Sequence, residues 1–337
     1  MLTYISRRLL QSIAILFGLS IFFFFLLHLS PGGPCDAFSA AGAGQAAAQR
    51  YHGCVVRLGL NDPLPGQYVK WLTHLLRGDF GVSTVDGIPV WDEISTRIPA
   101  TLLLAGISYI VTELIAIPLG IFAALRRYSF FDSLFTVLSY IGLSMPSFWL
   151  SGLVIVFFSV QLGWLPAGGI VGDTATIPAF NADGYWPYVF HHPWHATSDF
   201  LQHLFLPATV LTILGVAVDS RFMRASLLDV INQDYIRTAR AKGLNRRTVV
   251  LKHALRNALL PIITNIALAL PGLLGGAIIV ETIFGWPGIG LLTTQALSSK
   301  NYPILQSLLM IGALGVLLGN LLGDIVYAVV DPRIRYD

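Results

Sequence analysis

The strongest constraint on this chain is a series of long apolar stretches that carry very little charge. The hydrocarbon core of a bilayer is about 30 Å thick, and an α-helix crosses it with about 20 apolar residues. Six stretches come near or reach that length. We therefore predict an all-α integral membrane protein with six transmembrane helices, within residues 1–29, 100–125, 133–160, 204–222, 261–284 and 304–330.

Composition supports this class and excludes several others. Hydrophobic residues make up 55% of the chain and charged residues 12%, and the mean hydropathy is +0.69, which is too apolar for a soluble domain. The sequence has no phosphate-binding loop, nucleophile elbow or His-Glu-x-x-His motif. We predict a protein that is not an enzyme and has no catalytic residue or nucleic-acid partner.

Arg7 and Arg8 precede the first apolar run, which is too long for a signal-peptide core, so we predict an uncleaved first span.

Two long polar segments lie between apolar stretches, on the same side of the membrane. Residues 30–99 are predicted to form an extracytoplasmic subdomain of short helices. Residues 161–203 form a second outer loop, rich in Trp, Pro and Gly and free of Lys and Arg. Residues 100–337 form the remaining membrane core.

The distribution of basic residues predicts the orientation. With both termini inside, the inner segments hold fifteen Lys and Arg residues and the outer segments hold six. Basic residues concentrate in cytoplasmic loops, so we predict that both termini lie in the cytoplasm of a bacterial plasma membrane. Nine of the 21 basic residues lie between Arg221 and Arg256, on the cytoplasmic side.

This basic region, residues 229–260, has the pattern of two short helices joined by a turn. Leu228, Ile231, Tyr235 and Ala239 recur at helical spacing and predict one apolar face. Gly243 suits a helix end, and Asn245 can cap a second helix. The pattern predicts a docking element at the membrane surface, although an ordinary cytoplasmic loop has a similar composition.

Acidic residues and prolines within the spans are candidates for a transport pathway. Glu113 lies in mid-span, whereas Asp219, Glu281 and Asp324 lie near span ends, where structural pairing is the favoured interpretation. Pro118 and Pro146 are expected to kink their helices. Glu113, Pro146 and Glu281 remain candidate pathway residues. Membrane acids can also form an ion relay, which keeps an ion-coupled secondary transporter as the alternative.

Both cysteines and most of the histidines lie in the outer segments. Cys35 and Cys54 are a candidate disulfide on an oxidising side of the membrane, with two free thiols as the alternative. The four histidines of the second outer loop have only Asp199 as a nearby acidic ligand, so we predict no metal site.

Several segments of the sequence resemble those of a known protein family. The basic region resembles the cytoplasmic coupling loop of binding-protein-dependent ABC importer permeases, with Arg237-Thr238-Ala239 in place of the usual Glu-Ala-Ala, followed by Gly243 and Pro261. The sequence departs from this family pattern at position 237, where Arg replaces the Glu. Matches to the dipeptide and oligopeptide branch are spread over nearly the whole chain and include Arg7-Arg8-Leu9-Leu10, Gly78-Asp79-Phe80-Gly81, Ser144-Met145-Pro146, His253-Ala254-Leu255-Arg256-Asn257, Glu281-Thr282-Ile283-Phe284, Pro287-Gly288-Ile289-Gly290 and Asp331-Pro332-Arg333-Ile334-Arg335-Tyr336.

The resemblance implies a type I ABC importer fold and a set of partners. The chain would form half of a channel with a homologous second permease, and two cytoplasmic ATPases would bind the ATP and Mg²⁺. An extracytoplasmic binding lipoprotein would deliver peptides. The resemblance assigns the contact with the ATPases to one helical segment, Asp234, Tyr235, Arg237, Thr238, Ala239, Arg240, Ala241, Lys242 and Gly243. Within the family, nickel or another small solute remains an alternative substrate.

Overall fold

The computed structural model describes residues 2–29, 33, 35, 45–172, 176–180, 182–274 and 277–330. The predicted C-terminal tail, residues 331–337, lies outside the described residues. Within the described ranges the regular secondary structure is helical, apart from one isolated β-bridge between Val82 and Pro89. The principal helices are α1 (Leu2–Leu29), α2 (Gln45–Leu58), α3 (Leu64–Leu76), α4 (Val90–Leu125), α5 (Phe130–Ser144), α6 (Ser147–Val154), α7 (Tyr185–His191), α8 (Pro193–Ile231), α9 (Asp234–Ala241), α10 (Leu255–Leu274), α11 (Ile278–Ile283), α12 (Ile289–Ser298) and α13 (Tyr302–Val330).

The helices long and apolar enough to cross a membrane are fewer than the six predicted spans. In the described part of the chain, α1, α4, α8 and α13 qualify individually. A fifth span results if α5 is combined with α6 and the π-helix Ile155–Gln161 that continues it. The predicted span 261–284 falls on α10 and α11, and residues 275 and 276 between them are not described.

The predicted span over residues 133–160, with a kink expected at Pro146, is instead two helices separated by a sharp bend. The two arms around Pro146 are bent by 101°, far more than a kink. Proline cannot donate to a preceding turn, and it drives the residue before it out of the helical region. Met145 accordingly has φ −78° and ψ 120°, so α5 ends there and α6 starts afresh.

Two helices extend well beyond the predicted spans. Helix α4 starts at Val90 instead of residue 100, and α8 runs from Pro193 to Ile231 instead of from 204 to 222. The hydropathy pattern marks only the part that lies in lipid, while polar residues continue the same helix into water. As a result, the second outer loop is shorter than predicted, and it also contains α7.

Helix α8 forms the centre of the core and packs against α4, α5, α6 and α10, while α13 packs along α10. An apolar cluster joins the start of α4 to the start of α13 through Val90, Ile94 and Ile304. At the other end, Arg8 at the beginning of α1 forms a 3.0 Å salt bridge with Asp324 of α13. We call this second end, which also holds the end of α4 and α9, the coupling end, and the first the outer end.

At the outer end, Cys35 and Cys54 are joined by a disulfide and are both buried. The bond ties the segment that follows α1 to α2. It therefore restrains the distance between Cys35 and α2.

Candidate functional site

Helix α9 lies at the coupling end on a small apolar base. Ile236 is fully buried, and Ala239 is 8% exposed. Both belong to one cluster with Met223 and Leu227 of α8 and Val249 of the following π-helix. The apolar side of α9 is therefore fixed to its own chain, and the helix is held at the end of the long α8.

The opposite side of α9 is exposed and basic. The prediction that Ala239 faces a partner is wrong, because this side chain packs inside the chain. Arg237 is 73% exposed, and its weak 3.4 Å salt bridge goes to Asp234, which is itself 94% exposed. The residues available to a partner are Asp234, Tyr235, Arg237, Thr238, Arg240, Ala241 and Lys242.

The turn that ends α9 follows the pattern read from the sequence. Gly243 has φ +76°, in the left-handed region that favours glycine. The side chain of Asn245 accepts a 2.7 Å hydrogen bond from the backbone N–H of Thr248, which confirms the predicted helix cap. Arg246 donates to the carbonyl oxygen of Leu125 at 3.3 Å and so connects the turn to the end of α4.

A second connection links the helices beside α9. Arg224 of α8 donates two hydrogen bonds to Asp132 of α5, with its Nε 2.7 Å from Oδ1 and its Nη2 2.9 Å from Oδ2. Asp132 also accepts from the backbone N–H of Tyr128. Two parallel bonds fix orientation as well as distance. A displacement of α8 is therefore transmitted to the start of α5.

Midway along the helices lies a small polar group that includes Glu113. The two carboxylate oxygens of Glu113 are buried and have no hydrogen-bond partner among the described residues. Tyr109, one turn earlier, and Asp219 of α8 both interact with this carboxylate electrostatically. Asn265 of α10 donates to Asp219 at 3.4 Å. Three core helices thus contribute polar groups at one level.

Pro146 lies elsewhere, on an open apolar surface. A groove of about 600 Å³ surrounds the bend between α5 and α6, and it is lined mainly by aliphatic and aromatic side chains. Phe148 and Trp149 are 58% and 48% exposed. Such an extended apolar surface is typical of a contact with another helix or with lipid.

Glu281 is far from an open surface and has a packing role. Its side chain is fully buried. Oε1 accepts from the hydroxyl of Thr101 at 3.0 Å, and Oε2 accepts from the backbone N–H groups of Gly290 at 2.7 Å and Leu291 at 3.3 Å. The carboxylate therefore joins α11 to the N-terminus of α12 and to α4. This arrangement argues against a pathway role for Glu281, whose partners are a hydroxyl group and two backbone N–H groups.

The surrounding residues complete what we call the outer clamp: Glu281, Thr101, Trp286, Gly288 and Gly290. Trp286 is fully buried and donates its indole N–H to the carbonyl oxygen of Ala100 at 2.8 Å. A Cβ at Gly288 would overlap with Glu281 and Thr101. Sequence reasoning missed Thr101, because a lone Thr within an apolar run gives no signal of a partner 180 positions away.

Comparison with known proteins agrees with this geometry. Residues 1–105 match the N-terminal family of binding-protein-dependent transport system membrane components, and residues 116–336 match the family of binding-protein-dependent transport system inner membrane components. The oligopeptide transport system permease protein AppB of Bacillus subtilis is 42% identical, covering all of both chains. The dipeptide transport system permease protein DppB of Escherichia coli K12 is 39% identical over all of this chain and 99% of its own.

A solved structure with a similar fold is that of the MetNI methionine ABC transporter in inward-facing conformations. It aligns with a TM-score of 0.53 and 19% identity and covers 72% of this chain and 98% of the other. At that identity the likeness concerns the fold. The family matches and the full-length relatives agree with each other, and this multi-pass membrane protein belongs to the family of binding-protein-dependent ABC transport system inner membrane components.

Proposed function

We propose that this chain forms half of the membrane channel of an ATP-driven importer for dipeptides or oligopeptides. The observation that carries the proposal is a sequence identity of about 40%, over the full length of the chain, to relatives named as peptide permeases. A homologous second permease would complete the channel, with the apolar groove at Pro146 as a candidate for the contact. The protein would lie in a bacterial plasma membrane with both termini in the cytoplasm.

In this proposal α9 docks into a groove of a cytoplasmic ATPase subunit. The exposed basic side of α9 supports this role, because Arg and Lys side chains can pair with acids at the rim of such a groove. The buried base of α9 supports it as well: a force on the helix reaches α8 through Ile236 and Ala239. ATP and Mg²⁺ would be bound by the two ATPases, and closure of these subunits would move α9 as a lever.

The polar group around Glu113 is our candidate for a pathway element. It lies at mid-helix, and its carboxylate lacks a hydrogen-bond partner within the described residues. A peptide that passes this level carries ammonium and amide N–H groups, which can satisfy such an acceptor. We expect Glu113→Gln to lower peptide uptake while the complex still assembles. Glu93→Gln, at the outer end of the same helix, is the matched control, and equal uptake by both variants would argue against the assignment.

The first experiment is purification of the tagged chain from native membranes in a mild detergent, with mass spectrometry of the co-purifying proteins. A second permease, two ATPases and a solute-binding lipoprotein are expected. Recovery of the chain alone would contradict the proposal.

The substrate class requires a separate measurement on the purified complex in proteoliposomes. ATP-dependent uptake of labelled dipeptide and of a longer oligopeptide is compared with uptake of Ni²⁺. Peptide uptake is expected, and uptake restricted to Ni²⁺ would move the protein to another substrate class of the same family.

A further inference from the structure

The outer end contains a cavity that none of the roles above uses. It has a volume of about 390 Å³ and lies between the outer end of α1, the α2–α3 subdomain and the start of α13. Its inner wall is aromatic. Phe24 is 2% exposed, its ring stacks on His28 with the centroids 4.1 Å apart, and the Trp71 ring lies 5.7 Å away. The ring of Tyr302 in α13 lies 6.1 Å from that of His28.

The cavity lies at the periphery of the protein, at the level where an outer membrane interface is expected. Helix α1 packs against only α13 and α3 among the closely packed described elements, and just 11% of its apolar span is buried. Phe22 and Leu26 near its outer end are 56% and 49% exposed. Aromatic residues such as Trp71 are enriched at the level of lipid headgroups. The cavity thus borders a helix whose apolar surface is largely exposed.

The cavity also holds a buried acceptor without a donor. Gln67 is only 8% exposed. Its Nε2 donates to the carbonyl oxygens of Asp62 at 2.8 Å and Leu60 at 3.3 Å, which fixes the orientation of the amide. Its Oε1 is buried and accepts no hydrogen bond within the described residues. A buried acceptor in this state costs free energy until a ligand or water donates to it.

The charged groups at the rim differ in how far they are already paired. Lys70 forms an ion pair with Asp62, and His74 is 2.8 Å from Asp79. The backbone N–H of Gly81 and the His74 side chain lower the pKa of Asp79, which therefore stays negative at neutral pH. Arg57 lines the same cavity, and no described carboxylate lies within ion-pair distance of it. The rim thus offers one cation that is not engaged in an ion pair within the described chain.

We propose that this cavity binds the headgroup of a phospholipid that carries an N–H or O–H donor beyond its phosphate, such as phosphatidylethanolamine or phosphatidylglycerol. Arg57 binds the phosphate, the donor reaches the level of Gln67 and Asp79, and the acyl chains follow the exposed face of α1. A phosphatidylcholine headgroup has no such donor and fits less well.

The test uses the full chain, purified with its co-purifying partners, stripped of lipid and incubated with dioleoyl lipids of the three headgroup types. Retained lipid is counted by native mass spectrometry. Phosphatidylethanolamine and phosphatidylglycerol are expected to bind about 10-fold more tightly than phosphatidylcholine, as the loss of one charge-assisted hydrogen bond predicts. Equal retention of all three lipids would overturn the proposal, and so would displacement of bound lipid by a dipeptide.

Two variants locate the site. Arg57→Gln should weaken binding of both favoured lipids about 10-fold, whereas Arg77→Gln, an equal charge change just after α3 at a residue that does not line the cavity, should not. Gln67→Leu should remove the preference over phosphatidylcholine, with the thermal unfolding midpoint as a check on folding. An equal effect of the two arginine variants would place the lipid elsewhere and contradict the proposal. This comparison remains decisive even if Gln67→Leu does not fold.

Discussion

Helix α9 at the coupling end and the clamp at the outer end handle charge in opposite ways. At the coupling end, α9 buries two apolar side chains and leaves its charged side chains in solvent, with one weak internal ion pair. At the outer end, the clamp buries a carboxylate completely and satisfies it with three hydrogen bonds. The difference shows where each charge has its partner: within the chain at the outer clamp, and in another subunit, by our proposal, at α9.

The largest effect is expected from removal of the buried carboxylate. Glu281→Ala leaves the hydroxyl of Thr101 and the N–H groups of Gly290 and Leu291 without an acceptor, which costs about 3–5 kcal/mol. We expect little folded protein in detergent and a much lower thermal unfolding midpoint. Thr282→Ala, an adjacent and exposed position, is the control. A Glu281→Ala protein as stable as the wild type would show that the stability of the outer clamp does not depend on this carboxylate. The contrast between the outer clamp and α9 would then no longer hold.

A somewhat smaller loss is expected when the space around the carboxylate is filled. Gly288→Ala places a methyl group against Glu281 and Thr101, and overpacking of this kind costs about 1–3 kcal/mol. Gly312→Ala in α13 has open space around the new methyl group and should be neutral or slightly stabilising. Thermal unfolding of the two variants measures the difference. Equal midpoints would mean that the side chains of the outer clamp can shift to accommodate the added methyl group.

At the coupling end the expected effect on stability is smaller, and the effect on transport is larger. Gly243→Val forces a β-branched residue into the left-handed region at a cost of about 1–2 kcal/mol, although no atom lies within 4 Å of the new Cβ. The turn should change conformation and misplace α9. We expect the complex to hydrolyse ATP with peptide uptake reduced about 10-fold, since 1.4 kcal/mol is a factor of ten in a population.

Gly243→Asn is the matched control for that variant, because asparagine tolerates the left-handed conformation. It should keep most of the uptake. Wild-type uptake by Gly243→Val would contradict the role of α9 as a lever, and an equal loss in both variants would show that the small size of glycine matters more than its backbone.

The comparison also explains which parts could be predicted from sequence. The turn after α9 was predictable, because Gly243 and Asn245 act on their immediate neighbours and the rules for helix ends are local. The outer clamp was not predictable, because Thr101 and Glu281 are distant in sequence and meet only in the folded core. The motif around Glu281 was visible, but its buried hydrogen bonds were not.

Two other differences have equally physical causes. Hydropathy located the apolar parts of α4 and α8 and missed the full lengths of these helices, because a helix can continue into water without an apolar signal. The apolar face of α9 was assigned to Tyr235 and Ala239, whereas the structure buries Ile236 and Ala239. A helix of eight residues gives too few turns to decide which of two neighbouring faces is buried.

The smallest effect on stability is expected on the exposed face of α9. Arg240→Glu changes an exposed side chain, so the thermal unfolding midpoint should stay within about 2 °C of the parent value. The variant should nevertheless lose ATPase subunits during purification, because the reversed charge repels acids at the rim of a docking groove.

Raised salt should weaken the wild-type association in the same direction, since exposed ion pairs are screened. Lys252→Glu is the control, because it makes the same charge change in the neighbouring π-helix, outside α9. Loss of the ATPases in both variants would show that the net charge of the coupling end governs docking, whereas loss in Arg240→Glu alone would assign it to α9. Retention of the ATPases in both would contradict docking through the basic face, and would mean that the charges of α9 are solvated while other parts of the coupling end provide the contacts with the ATPases.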